Sequence, residues 1–277
     1  GRILVPAGAG VLLVAYSGVA FVQARTWHDS LSVFGHAALV TRDNYLAQTL
    51  LGVALRSKGD LRGAADHLKE AVRLATDYID AWGNLGNLFQ RQGELKEAGA
   101  CYRRVLDLNP KDGRACNNLG LIGELQGDLE GAEANFRKAL ELAPQDDKFM
   151  VNLGRILAMR GKASEARARL TQATVLAPKS AQAWYYLGVL DEKEGALTDA
   201  EKRLLRAVAL DPQSANAQIK LAWVLERSGR LAEAKGHYGS ALLLEPGNAG
   251  ARDGMARTKG KTEGIGVRPR MIGEGSH

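Results

Sequence analysis

"AWGNLGNLFQRQGELKEAGACYRRVLDLNP", Ala81 to Pro110, decides how this chain folds. It reads as two helices joined by a sharp turn. The first covers roughly three turns, from Ala81 to Arg91. The Gly of "RQGEL", Gly93, ends it in the manner of a left-handed C-cap. The second runs over "LKEAGACYRRVLDLN" and stops where Pro110 cannot continue a helix.

The same pattern returns every 34 residues. Gly52, Gly86, Gly120, Gly154 and Gly188 hold one register, with Ala222 in the sixth place. Gly59, Gly93, Gly127, Gly161, Gly195 and Gly229 hold a second. Ala64, Ala98, Ala132, Ala166, Ala200 and Ala234 hold a third. Pro110, Pro144, Pro178, Pro212 and Pro246 close five of the six units, and Thr76 closes the first. No insertion interrupts residues 45–248. The recurring Gly and Ala belong where paired helix axes cross, because a bulky side chain there would push them apart at a cost of roughly 1–3 kcal/mol. Trp82, Trp184, Tyr102, Phe136 and Tyr238 fill the space on either side, as core rather than as a stacking platform. One helix pair cannot bury its apolar face alone, so the units must stack.

These residues carry a family resemblance. The pattern W-x2-L-G-x2-F followed by G, A, Y and P resembles the tetratricopeptide repeat, over six full units. The resemblance implies an all-α solenoid, a right-handed superhelix of antiparallel helix pairs, whose concave inner face holds partner proteins.

Carried backward, the register reaches "RTWHDSLSVFGHAAL", Arg25 to Leu39. Ser30, Phe34 and Ala37 stand at second-helix positions, so residues 26–44 read as a half-repeat that caps the N-terminal end. At the other end, residues 249–259 read as a capping helix, and residues 260–277 as a disordered basic tail. Where the half-repeat's first helix should be, residues 3–24 form an uncharged run. At 1.5 Å per residue it is roughly 33 Å long, enough to cross a hydrocarbon core. A transmembrane helix within residues 1–25 is the expectation. A signal peptide cleaved after Val22-Gln23-Ala24 is the first alternative, and a buried soluble helix the second.

This junction also resembles a family: the C-terminal end of multi-spanning, glycosyltransferase-like membrane proteins. The animal transmembrane, tetratricopeptide-containing O-mannosyltransferases and many bacterial relatives share the layout. The resemblance implies that Ile3 to Ala24 is the last of many spans, with the catalytic loops upstream. It also implies repeats on the periplasmic or lumenal side, which in a bacterium means anchorage in the inner membrane. The chain starts at Gly1 rather than Met and reads as a fragment or processed product.

Composition excludes several classes of function. The net charge of +6 suggests nucleic acid until it is located. From Arg257 onward five Lys/Arg and two Glu contribute +3, half of the total, and the remaining body mixes both signs without a basic stripe. No cofactor or metal is expected. The five histidines (28, 36, 67, 237, 277) form no HExxH and no ligand pair with cysteine. Acidic pairs such as Asp146-Asp147 fall at helix starts, where they favour the helix dipole rather than catalysis. Cys101 and Cys116 lie equidistant from the turn at "NPKD"; a disulfide between them is one reading, two buried apolar thiols the other. The chain therefore reads as a non-enzyme.

A binding module is the remaining class. The sixth position of each first helix holds Leu50, Asn84, Asn118, Asn152, Tyr186 and Lys220. By analogy with the family this position lines the concave face. The three consecutive Asn resemble the asparagine ladder of the O-GlcNAc transferase solenoid, which grips extended peptide backbones. Asn87, Arg155, Gln90, Asp80, Arg114 and Lys148 would complete a polar floor. The expected partner is a protein or peptide. The alternative is an assembly scaffold in an envelope, working through its convex side.

Overall fold

The computed structural model describes residues 30–41 and 43–265, and among them it has fourteen α-helices and no strand. They divide into two compact units at the Gln126–Gly127 junction. The first unit holds α1 (Ser30–Val40), α2 (Tyr45–Ser57), α3 (Leu61–Leu74), α4 (Ile79–Gln92), α5 (Leu95–Leu108) and α6 (Gly113–Leu125). The second holds α7 (Leu129–Leu142), α8 (Asp147–Met159), α9 (Ala163–Leu176), α10 (Ala181–Lys193), α11 (Leu197–Leu210), α12 (Ala215–Arg227), α13 (Leu231–Leu244) and α14 (Ala249–Ile265).

Local chemistry sets the boundaries. Asn44, Asp60, Asp112, Asp128 and Asp146 each accept a bond from the backbone N–H three residues on, satisfying a donor the new helix leaves orphaned. Gly93 has φ +80°, and the other five glycines of its register lie between +77° and +89°, the left-handed cap the repeat demands. Proline is not what ends the second helices. Asn109, before Pro110, is extended at φ −137°, ψ 91°, and Ala75, before Thr76, has φ −136°, ψ 91°. The same exit without proline means that the packing of the following helix sets it.

The helix crossings are as tight as the small residues imply. All six alanines of the Ala64 register have no exposure. A Cβ added to Gly52 would lie 2.7 Å from Leu68 Cγ and 3.1 Å from the Ala64 carbonyl oxygen. At Gly154 it would meet Leu170 at 2.6 Å, at Gly188 Leu204 at 2.7 Å, and at Gly86 the Tyr102 ring at 2.8 Å. Tyr102, Phe136 and Tyr238 are fully buried, as expected. Trp82 and Trp184 are not: each is half-buried, with its indole N–H donated at 3.0 Å to the turn six residues back, at the carbonyls of Thr76 and Pro178.

Ala222 breaks the glycine series, and the structure answers with another glycine. A Cβ on Gly254 of α14 would collide with the Tyr238 ring, so that ring rests on the capping helix. Arg257 of α14 reaches back to Glu226 at 3.1 Å. This helix runs to Ile265 rather than ending at Lys259. No proline stands between Ala249 and Ile265 to stop it.

At the N-terminal end α1 packs on α2, but Phe34 is only half-buried, and Leu39 and Val40 are exposed. Among the described residues no helix is long and apolar enough to cross a membrane. The span expected at Ile3–Ala24, the start of the half-repeat through Asp29, and the tail from residue 266 lie outside the described residues.

Candidate functional site

In the first unit, α4 and α6 bring three of the expected amides together. Asn84, Asn87 and Asn118 line a pocket of about 160 Å³ whose rim carries Asp80, Asp112 and Arg114. Residues 84 and 87 are one helical turn apart on α4, so they share a face. The amides are already partly engaged. Asn84 Nδ2 donates to the Asp80 carbonyl at 2.9 Å, and Asn118 Nδ2 to Asn87 Oδ1 at 3.4 Å. The Tyr102 hydroxyl donates to Asn87 Oδ1 at 2.7 Å, and Gln90 Oε1 lies 3.1 Å from that hydroxyl as an alternative acceptor. Burial pushes the Tyr102 phenol above its ordinary pKa, so it stays a donor. Asn87 is therefore as much a strut for Tyr102 as a contact for a ligand.

In the second unit, Asn152 and Arg155 lie one turn apart on α8. The Arg155 guanidinium sits 5.7 Å over the Tyr186 ring of α10, and Tyr186 meets Tyr185 edge to face at 5.0 Å. Burial holds the Arg155 pKa below the usual arginine value, while Tyr186 acts the other way. Further along, Lys220 and Arg227 of α12 share the Glu192 carboxylate of α10 at 3.5 and 3.0 Å, and Arg227 lies 5.6 Å over Trp223. Tyr185, Tyr186, Asp211 and Asn216 line a second pocket, of about 110 Å³.

Comparison with known proteins agrees with this fold. Models described as tetratricopeptide repeat match residues 84–147, 193–251 and 125–190, and one described as TPR repeat matches residues 52–93. The chain belongs to the tetratricopeptide repeat family. A curated relative of this tetratricopeptide protein, DnaJ homolog subfamily C member 3 of Homo sapiens, is 31% identical over 84 residues. That match spans 30% of the chain and 17% of the relative. Among solved structures, a chain of the APC/C hetero-tetramer Cut9-Hcn1 has a TM-score of 0.74 at 18% identity, over 82% of this chain and 45% of that one. Pseudomonas aeruginosa pilF has 0.65 at 21%, over 77% and 97%. YrrB, described as a TPR protein with an unusual peptide-binding site, has 0.53 at 22%, over 66% and 95%. At these identities the structural likenesses speak for the fold.

Beneath the tetratricopeptide surface lie buried carboxylates that the sequence did not single out. Glu133, 4% exposed, takes Arg137 at 2.8 Å, Arg160 at 2.5 Å and Lys162 at 2.8 Å. Desolvation raises its pKa, but bonds from Lys162 and Arg137 outweigh that and bring it to about 2. Asp191, 1% exposed, sits between Arg167 at 2.7 Å and Arg203 at 2.5 Å. A carboxylate locked between cations is a bracket rather than a general base. The one available signal was an acidic residue at a position that other units fill with an apolar one: Leu157 occupies the place of Asp191 one repeat earlier.

Asp146, considered at the outset for acid–base chemistry, caps α8 through Phe149 N at 3.0 Å. Among the described residues no cluster of His, Cys, Asp or Glu could hold a metal ion. Cys101 and Cys116 are both buried, and no disulfide joins them. Equal distance from a turn does not aim two side chains at one seam, because a helix turns each residue by about 100°. Burial, then Glu97, pushes the Cys101 thiol up to about 11, so it behaves as a small apolar group.

Proposed function

We propose that this chain is a protein–protein interaction module that binds an extended polypeptide along the face of its first helices. The observation that carries the reading is the α4–α6 pocket, where Asn84, Asn87 and Asn118 set amides around one cleft. An amide offers both donor and acceptor, which suits the alternating N–H and C=O of an extended chain whatever its side chains. Asn84 spends one of its two N–H donors on its own helix, leaving the other and Oδ1 for a ligand backbone. The description of YrrB as having a peptide-binding site supports the reading by analogy of fold. We further propose that residues 3–24 anchor the module in a membrane, with the repeats periplasmic, as the tail of a larger glycosyltransferase-like protein.

The test is the triple variant Asn84→Ala, Asn118→Ala, Asn152→Ala against a captured partner peptide. Each lost hydrogen bond costs roughly 0.5–1.5 kcal/mol, so affinity should fall by roughly two orders of magnitude if the losses add. Unchanged affinity would sink the groove reading. A second reading, a scaffold working through its outer side, has its own observation: Val175 of α9 and Leu243 of α13 are 73% and 86% exposed on second helices. That scaffold would keep its partners in the triple variant and lose them in Val175→Asp, Leu243→Asp.

A further inference from the structure

Resting on the peptide-binding reading, we propose that the α4–α6 cavity is a side-chain pocket that takes a basic side chain, an arginine, of the bound polypeptide. Gly83 opens it. The same register in the other units holds Thr49, Asn117, Val151, Tyr185 and Ile219, so α4 is the one first helix with no side chain there. Glycine is a poor residue for a helix interior, and a tight crossing or a left-handed backbone is the ordinary reason to keep it. Neither applies to Gly83. A Cβ added to it would meet nothing within 4 Å, and its backbone is not left-handed. What the missing side chain leaves is room in the cavity that Gly83 lines. Its volume is about 160 Å³, and roughly 150 Å³ is enough for a guest the size of benzene.

The chain carries its own control. The cleft of about 110 Å³ in the second unit is built from the same registers three repeats further on. There Tyr185 replaces Gly83, Gln182 replaces Asp80, Ser214 replaces Asp112 and Asn216 replaces Arg114. Such a cleft is therefore general to the repeat, and the α4–α6 copy is the larger and the more charged. Two carboxylates and one guanidinium line it, whereas Asp211 is the one charged group lining the other.

Those carboxylates are available. Asp112 Oδ1 accepts from Ala115 N at 2.9 Å, which leaves Oδ2, and Asp80 Oδ2 lies 3.5 Å from the Tyr78 hydroxyl. Among the described residues neither forms an ion pair, and Arg114, exposed on the rim, neutralises neither. Arg56 of α2 bears on the Tyr102 phenol but does not line the cavity. Ile79, Val105 and Ala115 give a side-chain stem an apolar wall below the two carboxylates. A guanidinium brings five N–H donors to these acceptors, and its bonds to carboxylate are charge-assisted and among the stronger kind.

The test uses the full chain and three labelled peptides of Ser, Thr and Val, identical except for a central Arg, citrulline or Ala. Citrulline keeps the shape of arginine without its charge. Fluorescence anisotropy should show the Arg peptide binding about ten-fold tighter than the citrulline peptide at low salt. Asp80→Gln, Asp112→Ser copies the second cleft and keeps a capping residue at 112, so it should abolish that gap with little change in melting. Gly83→Tyr, and the smaller Gly83→Ile that copies Ile219, should make all three peptides bind alike. Gly83→Ala should melt no lower than wild type. Glu97→Gln, Asp107→Asn, at exposed positions of α5 outside the cavity, should leave the gap intact. Equal binding of the Arg and citrulline peptides by the wild type overturns the proposal and spares the groove reading; binding of none of the three overturns both. A gap that survives the Asp80, Asp112 or Gly83 variants overturns the pocket, and so does one lost equally in the α5 variant. A clear drop in melting for Gly83→Ala would make that glycine structural and overturn it too.

Discussion

At the residue scale, this repeat runs on the absence of single methyl groups. In Gly154 an added Cβ would lie 2.6 Å from Leu170 Cγ and 3.4 Å from the Ala166 carbonyl oxygen, so Leu170 must shift or the helices part. Gly154→Ala should destabilise by roughly 1–3 kcal/mol in urea unfolding. Gly236 of α13 has nothing within 4 Å of the same added atom, and Gly236→Ala should stabilise by up to about 1 kcal/mol through helix propensity alone. If both substitutions shift the midpoint the same way, the close crossing is not what holds glycine in its register. Glu133 supplies a pH-dependent counterpart. Its pKa falls from 4.5 to about 2 on folding, so its stabilisation is present above about pH 4.5 and drains away as pH falls toward 2. Glu133→Gln should lower stability at pH 7 by about 3 kcal/mol, because three cations lose their shared carboxylate. It should also flatten the acid limb between pH 4.5 and 2, seen by circular dichroism.

At the element scale, the two ends of the array are closed differently. The C-terminal end is shut by complementarity: Gly254 lies under Tyr238, and the Tyr238 hydroxyl and Arg257 both bond Glu226, each at 3.1 Å. Ending the chain at Asn248 would strip α14 from that face and leave a buried carboxylate with its tyrosine but without its arginine. The truncated protein should melt several degrees lower and expose the side of α13, measured as added dye binding. At the N-terminal end α1 covers part of α2. Removing residues 1–24 should leave a folded protein, whereas removing residues 1–39 should promote aggregation by uncovering α2. Equal light scattering from the two truncations would show that α1 does not act as a cap.

At the scale of the molecule, each unit is a chain of local contacts, and stability should behave accordingly. Gly188→Val forces α10 against Leu204 of α11. Hydrogen exchange should accelerate in α10 to α12 and remain slow in α2 to α5. Uniform acceleration across both units would mean that they unfold as one cooperative block.

A period of 34 residues with glycine in constant places dictates helix pairs and the left-handed turns within them, because those depend on bonds within one turn of the chain, whereas the ends of the second helices are set by packing. Fold class, the left-handed glycines and the buried Tyr102, Phe136 and Tyr238 were legible for that reason. So were the registers of Asn84 and Asn118, since residues at one place in a repeat fall on one kind of face. What those side chains do there was not legible. Asn84 turns one of its two donors on its own helix, and Asn87 braces Tyr102 of the next helix, a choice made between groups brought together by folding. Asp191 draws its cations from the neighbouring helices α9 and α11, and Glu133 draws two of its three from the turn between α8 and α9, up to 29 residues away, so only folded packing decides which charge finds which partner. The sequence by itself determined the repeating backbone, whose causes are local; the tertiary structure decided which polar groups remain for a ligand, because burial and pairing belong to the assembled helices.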